Sequence, residues 1–174
     1  MPRYFVFLRA INVGKHNRIR MEELRVLCAG IGFEGVSTYI QTGNIVLHSD
    51  EEEEAVVSRL EAELEGHGLR GASAIVRTGE EVSEMLDAWL AFGTDENAKP
   101  FVTLFRSPIA IDSMPASGLD GIRMLGVRER ELLWARNEAS PRPADGGLLE
   151  RKLGVVGTTR YLAVVRDFVE FGLK

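Results

Sequence analysis

From Tyr4 to Ile11 the chain is apolar at nearly every position, with Arg9 near the end as the interruption. Apolar residues on both alternations mark a strand covered on both faces. Met21, Leu24, Leu27, Cys28 and Ile31 then recur at helical spacing, closed by Gly30 and Gly32. Val36–Gln41 and Ile45–His48 alternate as strands joined through Thr42-Gly43-Asn44, and Gly-Asn is a tight-hairpin signal. Asp50 with Glu53 three residues on has capping-box spacing, and Val56, Val57, Leu60 and Leu64 supply the stripe of the helix it would open. The Glu51–Glu54 run fills that helix's first turn, where the dipole favours negative charge. Ser73–Arg77 reads as the next strand.

The pattern then starts again. Thr78 and Glu81 form a second capping-box pair before a helix carrying Val82, Met85, Leu86, Trp89 and Leu90. The segment GTDENAKP leads to a strand over Phe101–Arg106, and Ile122–Val127 with Glu131–Ala135 reads as a hairpin turning near Arg128-Glu129. NEASPRPADGG has the composition of a surface loop. Leu148–Leu153 reads as a short helix, and GTTRYLAVVRDFVEF as a closing helix capped at its threonines. YFVFLR at Tyr4–Arg9 and FVTLFR at Phe101–Arg106 echo one another.

The order β-α-β-β-α-β over residues 1–77 predicts an α+β fold with a ferredoxin-like plait in the N-terminal half. Residues 78–174 form a second α+β half that reads as a degenerate duplicate or as chance similarity of two buried strands. A chain of 174 residues buries roughly 70% of its unfolded surface, so no disulfide or metal staple is required.

The sequence FLRAINVGKHNRIRMEELR, then GFEGVSTYIQTGNIVL, then LERKLGVVGTTR, resembles the bacterial domain of unknown function 1697 family, in the same order along nearly the whole chain. The resemblance implies a soluble bacterial α+β protein with ferredoxin-like halves and brings no activity or catalytic residue with it. Members of that family commonly carry glycine where this chain has Ala10 and Lys15. They also commonly carry Asn-Trp where Tyr161 and Leu162 follow Arg160 here, and a Ser-Lys pair where this chain reads PRPADGG.

Charge narrows the chemistry. The net charge of −5 argues against a general nucleic-acid binder, yet residues 1–20 hold Arg3, Arg9, Lys15, Arg18 and Arg20 against no acid. Residues 21–65 hold eleven acids against Arg25 and Arg59. An acidic body with one basic loop suits local capture of an anion. Plait geometry places the end of the first strand beside the turn between the second and third. Arg9, Asn12, Gly14, Lys15, His16 and Asn17 are therefore expected close to Gln41, Thr42, Gly43 and Asn44. His48 and Asp50 fall at the opposite edge, which separates His16 from His48.

Gly14-Lys15 is not a Walker loop, because Arg9 stands where its first glycine would be and no Ser or Thr follows the lysine. What remains is a glycine-bearing loop with nearby cations: either an anion cradle, or a strand-to-helix turn built from residues that tolerate left-handed conformations. Thr158-Thr159-Arg160 is a second candidate, either an anion-holding helix start or a plain cap. If it met the first loop, Arg9, Lys15, Asn44 and Arg160 would line one pocket.

Other chemistries find no support. RNA recognition on a plait face needs aromatic stackers on the middle strands; Phe5 and Phe7 qualify, but the third strand offers only Ile45, Val46 and Leu47. The single Cys28 lies in a helical apolar stripe, no metal-ligand cluster can be built around it, and the N-terminal apolar run is too short for a signal peptide or a span. These features point to the cytoplasm, with neither membrane nor nucleic acid as partner, no cofactor, and no indication of oligomeric state.

The leading expectation is thus a protein binding a small anionic ligand at the edge formed by loop 12–18 and turn 41–44. One alternative is an enzyme acting there on a phosphorylated or carboxylated metabolite, with His16 as the proton-transfer group. The other is an interaction or oligomerisation module in which these loops are structural.

Overall fold

In the computed structural model, residues 1–90, 99–110, 119, 121–137 and 146–174 are described. Most of GTDENAKP and of NEASPRPADGG therefore lies outside the described residues. The fold is α+β, with two four-stranded antiparallel sheets. The chain divides into two compact units, Met1–Ser83 with Phe168–Lys174, and Glu84–Asp167. The halves expected from sequence divided at 77/78 and placed the whole closing helix in the second; its last residues belong to the first unit.

The first unit is built on β1 (Arg3–Arg9), whose residues Tyr4 to Leu8 are all buried. Helix α1 (Met21–Gly30) follows, then β2 (Glu34–Tyr39), β3 (Asn44–His48), α2 (Glu53–Gly66) and β4 (Ser73–Thr78). The sheet order is β2-β3-β1-β4 with every neighbouring pair antiparallel, the order that the β-α-β-β-α-β pattern predicts. On one face Tyr4, Val6 and Leu8 join Leu24, Leu27 and Cys28 of α1 and Val56, Leu60 and Leu64 of α2 in a single core cluster. On the other face Phe5 and Phe7 meet Phe168 edge-on, at centroid distances of 5.4 and 5.3 Å. Gly172 admits this approach because a Cβ there would lie 2.7 Å from Val46 Cγ2 and 2.8 Å from Phe5 Cζ. The two aromatic rings that an open plait would offer to bases are therefore already covered.

The second unit begins within α3 (Gly79–Leu90), which Thr78 and Glu81 open with a reciprocal capping box: Thr78 N–H donates to Glu81 Oε2 at 2.8 Å, and Glu81 N–H to Thr78 Oγ1 at 3.2 Å. Then come β5 (Phe101–Phe105), β6 (Ile122–Val127), β7 (Glu131–Arg136), α4 (Gly146–Leu153), β8 (Gly157–Tyr161) and α5 (Leu162–Leu173). This sheet has the order β6-β7-β5-β8, which repeats the first sheet strand for strand. Its core gathers Phe105, Leu132 and Trp134 beneath Leu149 of α4.

Two expectations need correcting. The closing helix starts only at Leu162, and Thr158-Thr159-Arg160 belongs to β8, paired antiparallel with β5. The β-branched threonines suit an edge strand, and the ladder to β5 holds them there. Asp50 does not cap α2: Glu52 occupies that position, and Asp50 instead pairs with the amino terminus at 3.4 Å. Ser49 Oγ takes the Glu51 N–H and Tyr4 donates its hydroxyl to the Glu51 carbonyl, so the chain bends through Asp50 and Glu51 before the helix begins.

Candidate functional site

The first strand stops at Arg9 because Ala10 turns left-handed, with φ 59°. Asn12 and Asn17 follow at φ 52° and 49°, and Gly14 lies at 61°. Asparagine and glycine tolerate this region; alanine does so only under strain. The resembling family's glycine at position 10 is thus explained by the backbone.

Side-chain amides hold the loop together. Asn12 Nδ2 donates to the carbonyls of Ile19 and Gln41, both at 3.0 Å, while Asn12 Oδ1 accepts from Ile19 N–H at 2.9 Å. The Asn12 amide therefore imitates a short piece of neighbouring strand for Ile19 and ties the loop to the β2–β3 turn. Asn17 Nδ2 donates to the carbonyls of Ala10 and Arg70, both at 2.8 Å. Asn12 N–H bonds the Asn17 carbonyl at 2.8 Å, and Ile11 and Ile19 are buried beneath.

The turn is equally constrained. Leu8 N–H donates to the Gly43 carbonyl at 2.8 Å. Gly43 has φ 78°, and a Cβ there would sit 2.5 Å from Ile11 Cδ1 and 2.8 Å from Leu8 Cβ. Asn44, fully buried, donates to the Tyr39 carbonyl at 3.2 Å and to Thr42 Oγ1 at 2.9 Å.

Loop and turn thus meet at the sheet edge, but Asn12, Asn17 and Asn44 spend their amides on the protein itself. Facing solvent are Lys15, His16, Arg18 and Arg20, with Thr42 also exposed and Arg9 half-buried. The Arg18 guanidinium folds back on the Gly14 carbonyl at 2.7 and 3.1 Å. Lys15, Arg18 and Arg20 form no ion pair among the described residues. Arg20 also exerts a minor downward pull on the carboxyls of Glu22 and Glu23, whose main pulls come from the Glu22 backbone N–H and from His67 respectively. His16 has no side-chain partner among the described residues, so nothing orients its ring.

Thr158, Thr159 and Arg160 lie in the second unit, within β8, whose last residue Tyr161 directly precedes α5. Thr159 and Thr103 share a hydroxyl hydrogen bond of 2.8 Å, and Arg160 Nη1 donates to Thr158 Oγ1 at 2.8 Å and the Thr159 carbonyl at 3.0 Å. Burial draws the Arg160 guanidinium down to about 10, which leaves it cationic at neutral pH. Among the described residues no group of three or more His, Cys, Asp or Glu could hold a metal, and no helix is long and apolar enough to cross a membrane.

Sequence reasoning missed Ile40, left-handed at φ 49° and exposed in the turn. It also missed the dependence of Asn17 on Arg70, for which no local signal exists. Asn12, Gly14 and Asn17 are residue types that announce left-handed backbone, whereas Ala10 and Ile40 are not.

The sequence profile of the family described as "Protein of unknown function (DUF1697)" matches residues 1–118. Comparison with curated proteins returns no match. Among solved structures, the conserved bacterial protein SP0830 from Streptococcus pneumoniae is similar, with TM-score 0.76 and 23% identity, covering 100% of this chain and 99% of that one. At that identity the likeness establishes the shared fold.

Proposed function

The chain belongs to the DUF1697 family, which brings no activity with it, and we propose from the site's geometry that the protein binds an anionic group at its cationic loop. Lys15, Arg18 and Arg20 make the contact, and Asn12, Asn17, Gly43 and Asn44 hold the loop and turn in place for it. The observation that carries the reading is the division of labour: every asparagine of the corner bonds protein backbone, while three cations beside them stay exposed and form no ion pair among the described residues.

Magnitude shapes the kind of anion. Exposed ion pairs are each worth about 0.2–1 kcal/mol, so three cations give at most about 3 kcal/mol. A lone phosphate would then bind at about millimolar strength or weaker, and a partner with several carboxylates or phosphates gains most. The enzyme reading has less support, because an exposed His16 without an orienting partner lacks the pairing that general-base chemistry uses.

Isothermal titration with citrate and with pyrophosphate at low ionic strength tests this. Millimolar binding is expected for the wild type and none for Lys15→Ala/Arg18→Ala/Arg20→Ala, with Arg160→Lys unchanged. Equal binding by the triple variant would overturn the assignment.

A further inference from the structure

One residue at the corner works against the stability of the isolated chain. Ile40 is β-branched, sits at φ 49° and is 44% exposed, in a turn where Asn or Gly would be unstrained. Val13 is 68% exposed at the tip of the loop. Single exposed apolar residues are ordinary, but a strained β-branched one is disfavoured twice over. The hydrogen bond from Asn12 to the Gln41 carbonyl joins the residue after Ile40 to the residue before Val13, so both belong to one corner. Lys15, Arg18 and Arg20 stand around them in the sequence and are exposed.

The corner therefore offers an apolar pair with a cationic rim. Its complement lies on the same chain. On α1, Val26 is 72% exposed, and Glu22, Ala29 and Gly30 share its side of the helix at three- and four-residue spacing. Glu23 is exposed beside them. Glu22 pairs with Arg25 at 3.5 Å and Glu23 with His67 at 2.9 Å, in each case through Oε1. Small residues around Val26 leave room for a branched side chain, and the acids supply the opposite charge. Helix α1 starts at Met21, directly after the cationic loop, so donor and acceptor patches are neighbours in the first unit.

We propose that the cationic corner docks on α1 of a second copy of this chain, Ile40 and Val13 against Val26, and Lys15, Arg18 and Arg20 against Glu22 and Glu23. Neighbouring complementary patches suit a two-fold axis, because one rotation satisfies both contacts. The proposal rests on the anion-recognition reading above and names the anion: carboxylates of an identical subunit.

Sedimentation equilibrium of the full chain in low and high salt tests it. A dimer is expected that weakens as salt screens the rim. Ile40→Asn relieves the strain, so it is expected to melt no lower than wild type while dissociating more readily. Lys15→Glu/Arg18→Glu is expected to weaken self-association by about tenfold or more through like-charge contact. Mixing it with Glu22→Lys/Glu23→Lys is expected to restore a heterodimer that neither variant forms alone. A monomer at every concentration, or a dimer indifferent to these substitutions and to salt, would overturn the proposal. Citrate binding that persists in such a monomer would leave the anion-recognition reading standing, so the two failures are separable.

Discussion

The two sheets share strand order and register, yet they finish the same corner differently. Tyr4–Arg9 and Phe101–Arg106 correspond one to one. Phe7 faces Asn44 as Leu104 faces Glu131, and Leu8 N–H bonds the Gly43 carbonyl as Phe105 N–H bonds the Arg130 carbonyl, both at 2.8 Å. In the first unit the corner residue is a left-handed glycine under Ile11, and a buried amide follows it. In the second the corner is Arg130, and the buried Glu131 that follows approaches Arg128 at 3.7 Å. The backbone hydrogen bond is common to both corners. The left-handed glycine and the buried amide, which in the first unit seat the loop of residues 10–19, have no counterpart at Arg130-Glu131.

The sharpest way to break this comparison is at the paired corner positions. Gly43→Ala is expected to cost about 2–4 kcal/mol, from a strained φ and from a Cβ driven into Ile11 and Leu8. Arg130→Ala keeps the backbone bond and loses a 3.3 Å contact to the Arg106 carbonyl, for about 1 kcal/mol. Urea denaturation of both variants checks the ratio. Equal costs would mean that the corner, and not the seated loop, sets the requirement.

One step further into the strand, Val6 and Thr103 occupy matching register positions. Val6 faces Ile45 and Val76 and is wholly apolar in its surroundings; Thr103 accepts the Trp134 Nε1–H at 2.9 Å. Thr103→Val is expected to cost about 1–3 kcal/mol by leaving that indole N–H unpaired in the core. Val6→Thr is expected to cost a similar amount because its hydroxyl finds no partner among aliphatic neighbours. Thermal unfolding of the two variants measures whether the repeated positions have become chemically exclusive.

A smaller effect of opposite sign belongs to the loop itself. Ala10→Gly removes a left-handed alanine, worth about 1–2 kcal/mol, against glycine's entropy cost of about 0.5–1 kcal/mol. A net gain of about 0.5–1 kcal/mol in denaturant unfolding is the expected outcome. No gain would mean that the alanine methyl makes compensating contacts.

These residues also show what a sequence can disclose. The capping box at Thr78–Glu81, the hairpin over 122–136 and the meeting of the first loop with turn 41–44 all follow from local spacing plus strand order. The Thr158–Arg160 strand does not, since two threonines before an apolar run fit a helix cap and an edge strand equally, and only pairing with β5 decides. Asp50 has the right spacing to Glu53 but is overruled by Ser49 and Tyr4, the latter from another strand. At the candidate site, residue types announced a polar corner. That Asn12 and Asn17 would turn inward to Gln41 and Arg70 depends on backbone that folding brings from 29 and 53 residues away.

The faintest difference between the units is in how their helices are clasped. In the first, His67 at the end of α2 meets Glu23 of α1 at 2.9 Å, and this hydrogen bond is the main reason the Glu23 carboxyl is held below its ordinary value of 4.5. In the second, Arg128, just past β6, reaches Glu84 of α3 at 3.5 Å. A carboxylate with a lowered folded pKa stabilises the fold above its unfolded pKa, and that contribution is lost as pH falls through the folded value. Stability should therefore fall below about pH 4.5, and Glu23→Gln should remove only the share that titrates with Glu23. Both partners are well exposed, so the effect is expected to be small and reduced by salt. Urea midpoints at stepped pH for wild type, Glu23→Gln and Glu84→Gln separate the two clasps. An identical response from Glu84→Gln would erase the distinction between the units at this level.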